Sequence, residues 1–228
     1  MKMAFFEKQQ NTMKRLLSTL LFGLTLASIF FASCNKDNFD YAAWEREQLE
    51  KQRIQDSINN KRVEEQFPII KKYVADNQLQ NIQYIDSLGL AYQVLATGDE
   101  ASYSYSFNSN GAIIAPDATV KYIGKLVPSG TIFQQTEEGK TATLNLSSVI
   151  TAWQIAFLPK SISYNGKDIP TGGITPTGLK KGSKIRIITP SPWAYGDTGK
   201  QGSSASDVSI PAKSPLDFTI EVVDIKNK

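Results

Sequence analysis

Very few residues in this chain could make or break covalent bonds. There is no histidine and a single cysteine, Cys34. A Ser-His-Asp or Cys-His relay needs an imidazole, and the common zinc sites are built from His and Cys, so the sequence calls for no metal and no cofactor. An internal disulfide is excluded as well. What remains is a set of aromatic side chains, the most concentrated in KIRIITPSPWAYGDTG, Lys184 to Gly199. This stretch opens as a strand with Ile185 and Ile187 on one face and Lys184, Arg186 and Ile188 on the other. It breaks at Pro190 and Pro192 and carries Trp193 and Tyr195 on the turn. A turn held by a strand is a common place for binding residues; an ordinary hairpin turn with two half-buried rings reads the same from this segment alone. A nucleotide site is excluded: Gly196 and Gly199 are too close together for a phosphate loop, and Gln201 follows Lys200 where Ser or Thr is needed.

The elements that must position these aromatics follow a period of two. Leu90, Tyr92 and Val94 alternate with Ala91, Gln93 and Leu95 before a break at Gly98. Val120, Tyr122, Gly124 and Leu126 form a second strand, and Pro128, Ser129 and Gly130 turn it into Thr131, Ile132 and Phe133. Ala142, Leu144 and Leu146 share one face of a short strand. Ser147 then reads as the cap of a helix of about three turns carrying Val149, Ile150, Trp153, Ala156 and Phe157, stopped by Pro159. Residues 101–110 are either a hairpin excursion or a loop. Residues 160–178, rich in Gly and Pro, read as an inserted loop with one hairpin at Asn165 and Gly166. Leu216, Phe218, Ile220 and Val222 face one way in the last strand, with Asp217, Thr219 and Glu221 on the other side. Five or six strands and one short helix predict an α+β domain of antiparallel sheet, beginning near Asp86 and running to the end of the chain.

Four segments in order, VKYIGKL with SGTIF, VITAW, PSPWAYGDTG and SIPAKSPLDFTIEVVDI, resemble an FKBP-type peptidyl-prolyl cis-trans isomerase; the earlier SLGLAYQVLATGD resembles the strand that opens that domain. The resemblance covers roughly Asp86 to Asn227, interrupted near 101–115 and at 160–178. It implies a twisted antiparallel sheet wrapped around the short helix, with proline-containing polypeptides as substrates. By the same resemblance Tyr122, Phe133, Trp153, Tyr195 and Phe218 are the catalytic aromatics, with Trp153 as the floor beneath a proline ring. Gln134, Val149, Ile150 and Ile210 are the further substrate contacts; the Ile150 N–H and the Tyr195 hydroxyl would hold ligand carbonyls. Val149, Ile150 and Phe218 would equally suit a plain sheet-helix interior. Trp193 is read as a rim or packing residue. Two positions depart from the family's pattern: Gln134 stands where an aspartate is usual, and Ala142, or Leu144 if the strand is shifted, stands where a further aromatic is expected. Both point to reduced or altered activity. A binding module without catalysis and a structural envelope lipoprotein are the rival readings.

The first third of the chain is of another kind. Lys14 and Arg15 precede an apolar run, Leu16 to Phe31, and the small residues Ala32 and Ser33 precede Cys34. This is the order of a secretory signal, with Met13 an alternative start. It resembles the lipobox of bacterial lipoproteins, with Phe31 in place of the usual leucine, which implies lipidation of Cys34 and a cell-envelope, outer-membrane location. Asn35 to Asn38 loosely resemble the sorting signals of Bacteroides-type surface lipoproteins. A membrane anchor or an unlipidated signal peptide are the alternatives, the run being shorter than the roughly 20 residues that span a bilayer. Loss of residues 1–33 removes Lys2, Lys8, Lys14, Arg15 and Glu7 and brings the +3 of the whole chain to neutrality. The basic balance is thus no argument for nucleic acid. Between leader and domain, residues 34–85 form a tether and a helical arm. Tyr41 to Gln66 is charged, with apolar residues only at Trp44, Leu49, Ile54, Ile58 and Val63, capped by Asp40 and supported by a Glu47–Lys51 pair. It is a solvated stalk or a helix for a protein partner. A second helix is expected from Pro68, with Ile69, Ile70, Tyr73 and Val74 docked on the domain.

Overall fold

The computed structural model describes residues 40–202 and 208–227. The signal segment, Cys34 and part of the Gly/Ser loop before Ile210 lie outside the described residues. The chain divides into two units between Lys61 and Arg62. Helix α1 (Tyr41–Asp76) is continuous through both. Asp40 caps it by accepting from the Ala43 N–H at 2.9 Å. In its first part Glu47 and Lys51 pair at 2.6 Å, and Leu49, Ile54 and Ile58 are exposed.

The expected second helix is the continuation of the first, with Pro68 inside it. Proline removes one helical hydrogen bond and crowds the carbonyl four residues earlier. Here Glu64, which carries that carbonyl, and Pro68 are both exposed, so water can serve the orphaned group. Packing on both sides of the break holds the helix together: Val63, Gln66, Ile70, Tyr73 and Val74 are buried along one face. Ile69, assigned to this face from the sequence, is instead 41% exposed.

Within Arg62–Lys228 the main sheet has the order β1-β2-β8-β9-β3-β4, with β5 also paired to β3. Its members are β1 (Gln83–Ile85), β2 (Leu90–Ala96), β3 (Asp117–Leu126), β4 (Ile132–Gln135), β5 (Ala142–Asn145), β8 (Lys184–Thr189) and β9 (Leu216–Lys226). Every pairing is antiparallel. Helix α2 (Thr151–Phe157) lies between β5 and β8 in the chain. This is an α+β arrangement of antiparallel sheet and one short helix, as the sequence predicts. A separate hairpin joins β6 (Ser161–Tyr164) to β7 (Lys167–Pro170). Its turn residues Asn165 and Gly166 have φ of 51° and 74°, the two positive values that the two-residue loop expected there requires.

Register sorts the sheet's side chains into two layers. Val120, Tyr122 and Gly124 are partnered by Val222, Ile220 and Phe218, and Ile220 and Phe218 by Ile185 and Ile187. This face holds the aromatics. On the opposite face Ala91 and Ile188 are partners, and both pack in one cluster with Ile70, Tyr73 and Val74 of α1 and with Val127. The simple alternation expected of the first strand therefore fails: Leu90, Ala91 and Tyr92 are all buried, while Val94 and Leu95 are exposed. The α1 layer also takes in charge. Asp217, 2% exposed, is held in a two-pronged ion pair by Arg186 and accepts from the Tyr73 hydroxyl at 3.0 Å.

The interruptions at 101–115 and 160–178 meet each other. The ring of Phe107 packs edge-on against Tyr164 at 5.3 Å. Glu100 accepts from Thr177 and pairs with Lys180, and the Tyr105 hydroxyl donates to the Leu179 carbonyl at 2.7 Å. Residues 101–115 are mostly loop, with one bridge between Phe107 and Ile113.

The Tyr73 phenol gives this layer a signature in alkali. Burial, and then the Asp217 carboxylate, push its ionisation up to about 12. Tyr73 is neutral in both states below the ordinary tyrosine value of about 10. Between that value and 12 the unfolded chain sheds a proton that the folded chain keeps, so stability is lost as pH rises through this window. Urea midpoints measured across it should fall less steeply for Tyr73→Phe than for the wild type. Near neutrality the variant should be weaker by about 1 kcal/mol for the lost hydrogen bond.

Candidate functional site

The aromatics of the inner layer converge on Trp153. Its position depends on how α2 begins. A 3-10 turn, Leu146–Ser148, is capped by Asn145, not by Ser147, and Val149 and Ile150 are extended. Helix α2 thus starts only at Thr151 and has about two turns, shorter than expected. The reason lies in Asn145, whose side chain accepts from both the N–H and the hydroxyl of Ser147, so Ser147 is used up locally. One consequence concerns the backbone: Ile150 accepts from Trp153 and Gln154, but its own N–H has no partner among the described residues.

Tyr122 of β3 meets Trp153 edge-on at 5.2 Å, Phe218 of β9 does the same at 5.7 Å, and Phe133 of β4 meets Phe218 at 5.6 Å. Ring edges against ring faces are the arrangement that aromatic quadrupoles favour. Phe157, one helical turn beyond Trp153, stacks on it at 6.3 Å. The sequence placed Phe157 on the helix but not at the site; its spacing of four from Trp153 was the available signal. Trp153 is 4% exposed and its Nε1 has no hydrogen-bond partner among the described residues. A buried donor without a partner is uncommon and calls for an explanation.

The other expected residues surround this cluster unevenly. Tyr195 follows a 3-10 turn, Ser191–Trp193, and is half-buried. Burial raises its ionisation above the ordinary phenol value. Tyr122 is raised by burial and then by the nearness of Tyr195. Both phenols are therefore neutral donors at physiological pH, and neither hydroxyl has a protein partner among the described residues. Lys200 Nζ stands 5.5 Å from the Tyr195 ring. Ile210 is buried and bridged to Lys200, while Val149 and Ile150 are half-buried. Gln134 is exposed beside the cluster, opposite Gly124. Ala142 is opposite Val120, so a methyl group stands on this face where an aromatic was expected. Trp193 turns away and donates to the Leu88 carbonyl at 2.8 Å, a packing role.

An antiparallel sheet set against a short helix, with three aromatics around one indole and a fourth behind Phe218, defines a class of fold whose site is a ring-lined surface without acid-base residues. The particular family follows from comparison. The model described as FKBP-type peptidyl-prolyl cis-trans isomerase matches residues 110–223, and the chain belongs to that family. The FKBP-type peptidyl-prolyl cis-trans isomerase FkpA of Buchnera aphidicola subsp. Baizongia pistaciae is 25% identical over 162 residues, 70% of this chain and 54% of that protein. FkpA of Escherichia coli strain K12 is 26% identical over 168 residues, 69% and 49% of the two. The crystal structure of E. coli FkpA covers 98% of this chain and 91% of that one at 19% identity, with a TM-score of 0.47. The chain spans about half the length of the curated relatives it matches.

Gly124 is the least obvious member of the cluster. A Cβ there would lie 2.5 Å from Phe133 Cζ, so the missing side chain is what lets the Phe133 ring lie over β3. Gly124→Ala should cost about 1 to 3 kcal/mol by overpacking. It should also move the Phe133 ring resonances as the ring leaves its place against Phe218. Thermal melts and aromatic NMR spectra check both; unchanged ring shifts would refute the assignment.

Proposed function

We propose that this chain is a peptidyl-prolyl cis-trans isomerase acting on X-Pro bonds of exported polypeptides. The observation that carries the reading is the buried Trp153 indole, enclosed edge-on by Tyr122 and Phe218. Family membership supports the same conclusion. Rotation about the X-Pro amide must overcome a barrier of about 18 to 20 kcal/mol set by amide resonance. Neither nucleophile nor metal is required. In the twisted transition state the carbonyl is less polar and the nitrogen more pyramidal, so a dry aromatic surface favours it over the planar ground state. In this reading Trp153 is the floor under the proline ring, and Tyr122, Phe133 and Phe218 are the walls. The Ile150 N–H and the Tyr195 hydroxyl hold flanking carbonyls, Val149 and Ile210 line the sides, and Gln134 stands at the rim.

The second reading, a binding module without catalysis, rests on Gln134 and Ala142, which remove a carboxylate and a ring. A protease-free proline isomerisation assay separates the two. Trp153→Ala should lower kcat/KM at least tenfold, about 1.4 kcal/mol of transition-state stabilisation. Tyr195→Phe should lower it roughly fivefold, the worth of one hydrogen bond. A folded wild-type protein that gives no acceleration sinks the enzyme; proline peptides that still shift the Trp153 NMR signals would then establish the binding module.

We also propose that Cys34 is lipidated and tethers the protein to the cell envelope, at the outer membrane, with the Tyr41–Lys61 stretch as spacer. The order of basic, apolar and small residues before Cys34 supports this. Cys34→Ser should abolish both acyl labelling and recovery in the membrane fraction; retention of either refutes the anchor.

A further inference from the structure

We infer that Gln66 of α1 is a positioning residue for the site: it fixes the two loops that carry Tyr195 and Ile210. The inference rests on the isomerase reading for its functional consequence and on geometry for the rest. Gln66 is 4% exposed, in a run of sequence otherwise dominated by charged and exposed side chains. Its Oε1 accepts from the Ser191 N–H at 2.7 Å. Its Nε2 donates to Ser191 Oγ at 3.1 Å and to the Lys213 carbonyl at 2.8 Å. One amide thus uses both ends, on two segments far apart in sequence.

Those segments are joined to each other next to the site. The Gly196 N–H donates to the Ser191 carbonyl at 2.8 Å, and the Lys213 N–H to the Gly196 carbonyl at 2.9 Å. Ser191, Gly196, Lys213 and Gln66 therefore form a closed ring of hydrogen bonds. Tyr195 sits inside it between Ser191 and Gly196, and Ile210 lies three residues before Lys213. Lys213 itself has φ of 61°, a left-handed conformation that a lysine holds only when its surroundings determine it. The helix packs closely on Gly89: a Cβ there would lie 2.7 Å from Val63 Cγ1 and 3.6 Å from Pro190 Cγ. Arg62 of α1 reaches the same turn, its guanidinium 3.5 Å from Asp197.

A glutamine that only filled space would be replaceable by any side chain of its size. The test uses the full chain with Gln66→Leu, and with Gln66→Glu as the isosteric variant that keeps the acceptor for Ser191 but loses the donor to Lys213. Amide exchange by NMR should accelerate about tenfold at Gly196 and Lys213, neither of which touches Gln66 through its N–H. Tyr73→Phe, which frees another bond between α1 and the sheet, should lower the melting temperature and leave those two amides and kcat/KM unchanged. In the isomerase assay Gln66→Leu should lower kcat/KM roughly fivefold in the wild type and by clearly less in a Tyr195→Phe background. Wild-type exchange at Gly196 and Lys213 in both variants, or costs of Gln66→Leu and Tyr195→Phe that multiply, would overturn the inference. If the wild type shows no isomerase activity, the proposed function fails while the exchange result still decides the positioning role.

Discussion

The Arg62–Lys228 unit depends on one constraint: the end of β8 and the start of β9, Ile187–Thr189 and Leu216–Phe218, are buried on both faces. Ile185, Ile187 and Ile188 are fully buried although they alternate sides, as are Leu216 and Ile220 beside them. An antiparallel sheet commonly leaves one face to water. Here that would expose Ile188 and Ala91, and the last fifteen residues of α1 are what cover them. Asp217 is the price of the arrangement, because β9 must place a carboxylate in the covered layer. Arg186 and Tyr73 answer it, and a pair broken on one side would leave a buried charge uncompensated. The helix is thereby part of the domain from Arg62 onward, not a separate arm resting beside it.

The same constraint orders the site. Because α1 occupies one face, α2 and the aromatic cluster occupy the other, and the turn after β8 is the place where the two layers meet. Gln66 reaches that turn from the helix side and Tyr195 leaves it toward the aromatics. The site contains neutral phenols, an indole and a backbone N–H, that of Ile150, without a partner among the described residues. Such groups suit a reaction in which a bond rotates and no proton is transferred.

The strands were legible in the sequence where one face is apolar and the other polar, as in β9 and β3, because period two survives there. It fails in β2, where both faces are covered and Ala91 carries no hydrophobic signal strong enough to reveal it. Pro68 misled because local rules treat proline as a boundary, while the buried residues on either side, Val63, Gln66 and Ile70, override it. Ser147 misled because it was free to cap only until Asn145 captured it. The central aromatics were found through the order of four segments and not through any one spacing. Gln66 could not be found at all, since a polar residue in a charged run is invisible until the loops it binds are placed.

The contact between Phe107 and Tyr164 changes how the two interruptions of the family pattern should be counted. Fifty-seven residues apart in the chain, Phe107 and Tyr164 share an aromatic contact, and Glu100 ties the same region to Thr177 and Lys180. Each gives the other a surface to bury, so shortening either one strips cover from its partner. They pack as one unit formed by two separate stretches of the chain. A graft that transfers only the β6–β7 hairpin leaves behind the Phe107 ring that covers Tyr164.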